Sequence, residues 1–267
     1  MAAAHEPGPA PILTLTGVRK AFGSQVVLRD LSLTVNRGET AVVLGPSGTG
    51  KSVLLKLIVG LLRPDAGEIC FEGARVDLLS ERALGRVRRK IGFLFQLSAL
   101  FDSMTVAENL DFPLREHTSL GRPERRRKVA AALERVDLHD VEGKYPAALS
   151  GGQQKRAALA RAIILEPELM LYDEPTTGLD PVRADGINRL IRRLQVDLGV
   201  SGVVVTHDLV SAAAVADRVI MLDEGRVIAE GTLADLHHHE NPRVRRFLAG
   251  ESAPDHAAAA AEGSPDA

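Results

Sequence analysis

Apolar residues fall along this chain in two rhythms. Short unbroken runs, Thr40-Ala41-Val42-Val43-Leu44, Leu169-Met170-Leu171-Tyr172 and Val203-Val204-Val205-Thr206, have the makeup of strands buried on both faces, as in a parallel sheet. Ile12 to Val35 instead carries separated apolar sets (Ile12, Leu13, Leu15; Val26, Val27, Leu28; Leu31, Leu33, Val35) that suit an antiparallel layer. Helical spacing occurs in Ser52 to Ile58, in Val129, Leu133 and Val136, and in Gln154 to Leu165 through Ala157, Ala160, Ile163 and Ile164. A further helix is expected over Pro181 to Leu198, and a hairpin around Asp223-Glu224-Gly225-Arg226. Strands alternating with helices predict an α/β fold. A mainly helical insertion is expected from about Leu97 to Leu165.

Between the first buried run and its helix stands Gly45-Pro46-Ser47-Gly48-Thr49-Gly50-Lys51-Ser52. A strand, a Gly-rich loop and a helix in that order form the context a phosphate-binding loop requires. The glycines allow backbone conformations closed to other residues, so that N–H groups can approach phosphate oxygens. The helix N-terminus adds partial positive charge toward the same anion. Lys51 supplies a full charge near the β- and γ-phosphates, and the Ser52 hydroxyl can ligate Mg²⁺.

A metal on phosphate also needs a carboxylate, and Asp173 stands at the carboxyl end of the Leu169–Tyr172 run, where open α/β sheets bind ligands. Glu174 follows it, placed to orient or deprotonate a water in line with the γ-phosphate. A second phosphate-binding helix end is offered by Leu149-Ser150-Gly151-Gly152-Gln153: Ser150 can cap the following helix, and Gly151 and Gly152 leave amides exposed.

These segments resemble the ATP-binding cassette family, whose signature is the Leu-Ser-Gly-Gly-Gln at 149–153. The resemblance spans about residues 12–248 and implies a P-loop NTPase core with an antiparallel β subdomain and an inserted helical subdomain. It implies that Phe22 stacks on adenine and that Gln96 touches Mg²⁺ and the membrane partner. It further implies that Gly178-Leu179-Asp180 crosses a dimer interface and that His207 contacts the γ-phosphate. The mechanism so implied is a head-to-tail homodimer closing over two ATP molecules with Mg²⁺, the signature of one copy completing the phosphate site of the other.

Composition narrows the partners. Thirty-three Lys and Arg against 35 Asp and Glu give a net charge of −2, which does not point to nucleic acid. The only cysteine, Cys70, lies in Ile69-Cys70-Phe71 and is expected as a reduced, buried thiol. No apolar stretch approaches the roughly 18 residues of a spanning helix, and Met1 to Pro11 lacks the regions of a signal peptide. A transport role therefore calls for separate permease subunits, and the resemblance implies an ATPase peripheral on the cytoplasmic face of a bacterial inner membrane. Residues 1–11 and the Ala-, Pro-, Gly- and acid-rich stretch from Ala249 are expected to be disordered tails. The five basic residues between Arg122 and Lys128 could meet lipid head groups or a partner but are expected to form a solvated face, and His237–His239, which could bind metal adventitiously, a solvated helix end.

The wording after Gln96 refines the resemblance. Ala99-Leu100-Phe101-Asp102-Ser103, Phe112-Pro113-Leu114-Arg115-Glu116 and Pro242-Arg243-Val244-Arg245-Arg246-Phe247-Leu248 are similar to the Mla/Mce group, whose ATPases energise lipid movement between envelope membranes. That likeness implies phospholipid transport, with lipid-binding and small regulatory subunits as further partners. Leu97, Leu100, Phe101 and Met104 then look built to receive a permease coupling helix, although a helix junction would use the same residues. An amino-acid or other small-solute importer is the alternative. A soluble cassette of translation or DNA repair usually carries two cassettes or a long coiled coil, and neither is present.

Overall fold

The computed structural model describes residues 11–251. The chain begins with the strands β1 (Pro11–Phe22), β2 (Gln25–Asn36) and β3 (Thr40–Leu44), and then α1 (Lys51–Ile58). Next come β4 (Ala66–Phe71), β5 (Ala74–Arg75), α2 (Glu81–Arg88) and β6 (Ile91–Leu94). Three helices follow, α3 (Val106–His117), α4 (Arg122–Arg135) and α5 (Gly151–Ile163), before β7 (Leu169–Asp173). The remainder is α6 (Pro181–Leu198), β8 (Ser201–Thr206), α7 (Leu209–Val215), β9 (Arg218–Asp223), β10 (Arg226–Gly231), α8 (Leu233–His237) and α9 (Pro242–Ala249).

Two sheets organise these elements. One has the order β2-β1-β4-β5 and is antiparallel, as the alternating N-terminal pattern predicts. The other has the order β10-β9-β3-β8-β7-β6. Its strands β9, β3, β8, β7 and β6 pair in parallel, and only β10 runs antiparallel, through the expected hairpin.

The unbroken apolar strands feed two cores. Because successive side chains point to opposite faces, Ala41, Val43, Leu169, Leu171, Val203 and Val205 join α1 and the antiparallel sheet on one side. Val42, Leu44, Met170, Tyr172 and Val204 join the helices α3 to α7 on the other.

Local chemistry sets several helix ends. Thr105 and Glu108 close a capping box on α3, and Ser150 and Gln153 close one on α5. α5 therefore starts at Gly151, three residues before the expected Gln154, and stops at Ile163 rather than Leu165. α6 spans Pro181–Leu198 as expected, ending at Gly199 in the left-handed region (φ 62°). In α4 the basic run lies mostly exposed, with Arg125 paired to Asp111 at 2.7 Å and Lys128 to Glu166 at 2.7 Å.

Cys70 departs from expectation. It is free but only partly buried, because the alternation that turns Ile69 and Phe71 into the core turns Cys70 to the opposite face of β4. Regular structure also reaches one residue past each expected boundary, to Pro11 and to Ala249. Past Ala249, Gly250 caps α9 at φ 70° and the Glu251 N–H donates to the Arg246 carbonyl at 2.9 Å, so the expected tail does not begin at Ala249; residues 1–10 and 252–267 lie outside the described residues. No helix among the described residues is long and apolar enough to cross a membrane.

α5 packs closely on the parallel sheet at Gly92 in β6. A Cβ there would lie 2.3 Å from Met170 Sδ and 2.6 Å from the Ala162 carbonyl oxygen. Gly92→Ala is therefore expected to destabilise the fold by about 1–3 kcal/mol, as overpacking does. Urea unfolding checks this; an unchanged midpoint would show that α5 is not packed as tightly as described.

Candidate active site

The end of β3, the loop 45–50 and the start of α1 form a cradle. Gly45 passes beneath the end of β9, where a Cβ would lie 2.1 Å from the Leu222 carbonyl oxygen, so no other residue fits without moving the loop. Gly50, at φ 100°, stands at the N-cap of α1 and supplies no side chain there. Thr49 Oγ1 donates to the Pro46 carbonyl at 2.9 Å. Lys51 is buried and its ammonium donates to the carbonyls of Gly45 (2.7 Å) and Pro46 (2.8 Å). Burial lowers its pKa below the usual lysine value, while Glu174 and Asp173 pull the other way.

Ser52, the next residue, donates from Oγ to Asp173 Oδ1 at 2.8 Å, joining positions 121 apart in sequence. Asp173 is buried at the end of β7. Desolvation raises its pKa, the Ser52 hydrogen bond lowers it, and the charge of Glu174 raises it further, leaving it above the usual carboxylate value. Glu174 turns off the strand with φ 46°, an uncommon conformation for a non-glycine residue. Its backbone N–H donates to the Val205 carbonyl at 2.9 Å. Its carboxylate accepts from Thr206 Oγ1 at 3.1 Å and stands 2.9 Å from His207 Nδ1.

These groups meet at one cleft of about 430 Å³, whose lining includes Phe22, Ser47, Gly48, Gly50, Lys51, Ser52, Gln96, Glu174 and His207. Phe22 is 47% exposed and the Lys20 ammonium sits 5.4 Å from its ring centroid, so one aromatic face stands at the edge of the cradle.

The signature lies elsewhere. Ser150 caps α5 by accepting from the Gln153 N–H, and Ser150, Gly152 and Gln153 line a second cleft of about 460 Å³ beside Arg156 and Arg183. The two clefts share no lining residue. Gly151 faces Leu179, with 3.7 Å between its projected Cβ and the leucine side chain, so the N-termini of α5 and α6 stand side by side. Asp180 there caps its own helix, accepting from the Arg183 N–H at 3.0 Å.

Sequence reasoning missed Thr206. It is fully buried and follows the apolar Val203–Val205 run at the end of β8; a polar residue in that position was the available signal. Among the described residues no group of three or more His, Cys, Asp or Glu side chains is arranged to hold a metal ion. His237–His239 make no such site; the His239 Nδ1 instead accepts from the Asn241 N–H at 3.1 Å.

Comparison with known proteins agrees with this geometry. The ABC transporter family pattern matches residues 28–177. The chain is 41% identical over 245 residues, 92% of its length and 91% of the relative's, to the Intermembrane phospholipid transport system ATP-binding protein MlaF of Escherichia coli. It is 42% identical, over 89% of its own length and 66% of the relative's, to the Probable ribonucleotide transport ATP-binding protein mkl of Mycobacterium bovis. Among solved structures, a dimeric post-hydrolysis state of the ATP-binding cassette MJ0796 bound to ADP and Pi superposes with a TM-score of 0.77 at 34% identity, covering 83% of this chain and 98% of that one. A phosphate cradle, a strand-end carboxylate pair and a serine-capped signature helix, matched to these relatives, make this chain a member of the ABC transporter family, an ATP-hydrolysing subunit.

Proposed function

We propose that two copies of this chain clasp ATP between them and hydrolyse it to drive phospholipid transport through a separate membrane permease. The observation that carries the two-copy reading is the separation of the clefts: the α1 and α5 helix ends both suit an anion, yet within one chain they line two clefts with no residue in common. A second copy arranged head to tail brings both onto one nucleotide, and the dimeric MJ0796 cassette supports that arrangement. Residues 12–248 then act as one ATPase domain, with about 97–165 as its helical insertion.

Within the site, Phe22 takes the adenine, and the loop amides with Lys51 take the phosphates. The Ser52 hydroxyl and the Asp173 carboxylate, already 2.8 Å apart, are hard oxygen donors suited to Mg²⁺, with Gln96 at the same cleft. When bound, the ion neutralises charge on the β- and γ-phosphate oxygens. Glu174 accepts a proton from the attacking water, while Thr206 and His207 hold its carboxylate in place. From the partner copy, Ser150, Gly151, Gly152 and Gln153 meet the γ-phosphate, and Asp180 lies along the shared interface.

The permease fits a groove of about 550 Å³ whose lining includes Phe93, Phe95, Phe101, Phe112, Pro113 and Arg161. Four of the chain's seven phenylalanines gather there, stacked at 4.0 Å for Phe93 and Phe95 and edge to face at 5.4 Å for Phe101 and Phe112. Of the apolar residues expected to meet a coupling helix, Leu97 (90%) and Phe101 (43%) are exposed, whereas Leu100 packs against the core and Met104 is half-buried. Lipid as cargo rests on the MlaF relative together with the Mla/Mce-like segments. The same reading places the chain on the cytoplasmic face of the inner membrane, with lipid-binding and small regulatory subunits as further partners.

Glu174→Gln is expected to keep ATP binding, trap the closed dimer and lower kcat by about 10²–10⁴, the range of a lost catalytic base; steady-state ATPase assays check this, and full residual turnover would contradict the role. Lys51→Ala is expected to raise the nucleotide Kd tenfold or more, about 1.4 kcal/mol at least. Binding unchanged in that variant would remove Lys51 from the cradle. For the cargo, mass spectrometry of the detergent-purified complex is expected to find permease subunits and bound phospholipid. Amino acids or ribonucleotides in place of lipid would overturn the lipid reading.

A further inference from the structure

Between Gln96 and α3 the chain makes a loop with no regular structure and two non-glycine residues in the left-handed region, Ser98 (φ 63°) and Ala99 (φ 50°). Such conformations persist only where the surroundings fix them. Here the surroundings are polar side chains from two helices. Lys155 of α5, only 4% exposed, donates its ammonium to the Gln96 carbonyl. Arg161, six residues further along the same helix, forks onto the carbonyls of Ala99 (2.8 Å) and Ser98 (3.2 Å) and lies 5.7 Å from the centroid of the Phe101 ring. Asn109 of α3, fully buried, closes the far end by accepting from the Phe101 N–H (2.8 Å) and donating to the carbonyls of Phe101, Met104 and Thr105.

Both cations stand on the helix that Ser150 caps. Lys155 approaches the loop at the residue that lines the nucleotide cleft, and Arg161 approaches it where the loop borders the phenylalanine groove. Neither forms an ion pair with a carboxylate: Lys155 bonds to a backbone carbonyl, and Arg161 to two backbone carbonyls and, at 3.5 Å, to Asn109 Oδ1. Burial lowers the pKa of each, while the charges of Asp173 and Glu174 pull that of Lys155 back up. Lys155 is buried and Arg161 half-buried; a buried ammonium is costly to desolvate, so an apolar side chain would fill the Lys155 position at less cost unless the hydrogen bond it gives holds the loop.

We propose that Lys155 and Arg161 are positioning residues that fasten the Gln96 loop to α5, so that the phenylalanine groove, Gln96 and the Ser150 tip shift as one body. The functional part of this inference rests on the ATPase reading above; the fastening itself does not. A push on the groove is then delivered both to the Gln96 side of a copy's own cleft and, through Ser150, to the nucleotide held by the other copy.

The test is Lys155→Met in the full-length chain, which keeps the buried stem and removes the donor. Amides of 97–105 are expected to exchange with deuterium at least tenfold faster than in wild type, with β3, β7 and β8 unchanged. In the same variant kcat is expected to fall tenfold or more, with the Kd for a fluorescent ATP analogue within twofold. Loop exchange equal to wild type overturns the fastening, and a loosened loop with unchanged kcat overturns its role in turnover. Arg161→Lys, which keeps the charge but loses the forked donors, decides the matter if Lys155→Met does not fold: faster exchange confined to 98–105 is expected, and wild-type exchange overturns the proposal. A wild-type protein that turns over no ATP sinks the ATPase reading, and the exchange difference then decides the fastening alone.

Discussion

The parallel register of three neighbouring strands determines where the cradle, the Asp173–Glu174 pair and His207 stand. Leu44 of β3 pairs with Thr206 of β8, and Val205 pairs with Val43 on one side and Asp173 of β7 on the other. All three strands therefore end at one edge of the sheet. The cradle, the carboxylates and His207 emerge there in adjacent positions. A slip of one residue in β7 would turn its whole side-chain set over, sending Asp173 away from Ser52. The apolar content of these strands is thus more than a stabilising core, since burial on both faces is what pins the register. The two-sided alternation seen in β3, β7 and β8 makes any slip exchange the contents of two differently shaped cores.

That edge then concentrates charge that water would otherwise screen. Lys51, Asp173 and Glu174 are buried together, and burial shifts Lys51 down and Asp173 up, each toward its neutral form. A triphosphate with its divalent ion fits this balance, since the anion compensates the lysine and the cation compensates the aspartate. The Thr206 and His207 contacts fix the Glu174 carboxylate at the same cleft, where its charge also acts on Lys51 and Asp173. The signature is built on the opposite principle. Ser150 spends its hydroxyl on capping α5, and its cleft is lined by arginines and helix ends rather than by carboxylate pairs.

Much of this was legible before any coordinates, for a physical reason. Groups fixed by contiguous sequence, such as the Gly45–Ser52 cradle, the Ser150 cap and the Pro181–Leu198 helix, carry their geometry in local spacing. The two acids ending an apolar strand were equally plain. What escaped depends on distant packing: Thr206 supporting Glu174, Lys155 reaching the Gln96 carbonyl, and Arg161 holding a left-handed loop more than sixty residues away in sequence. The expectation for Cys70 failed because an apolar triplet was read as uniformly buried, whereas a strand at the interface of one core alternates. Asp180 shows the converse: resemblance gave it a place at a dimer interface, and within one chain it caps α6.

A composite nucleotide site stands or falls on one distance. In a crystal or electron microscopy structure of the ATP-loaded dimer, the Ser150 hydroxyl of one copy is predicted to lie within about 3.5 Å of the γ-phosphate held by Lys51 of the other. A closed dimer in which Ser150 faces solvent, or its own copy's nucleotide, would contradict a site shared between two chains.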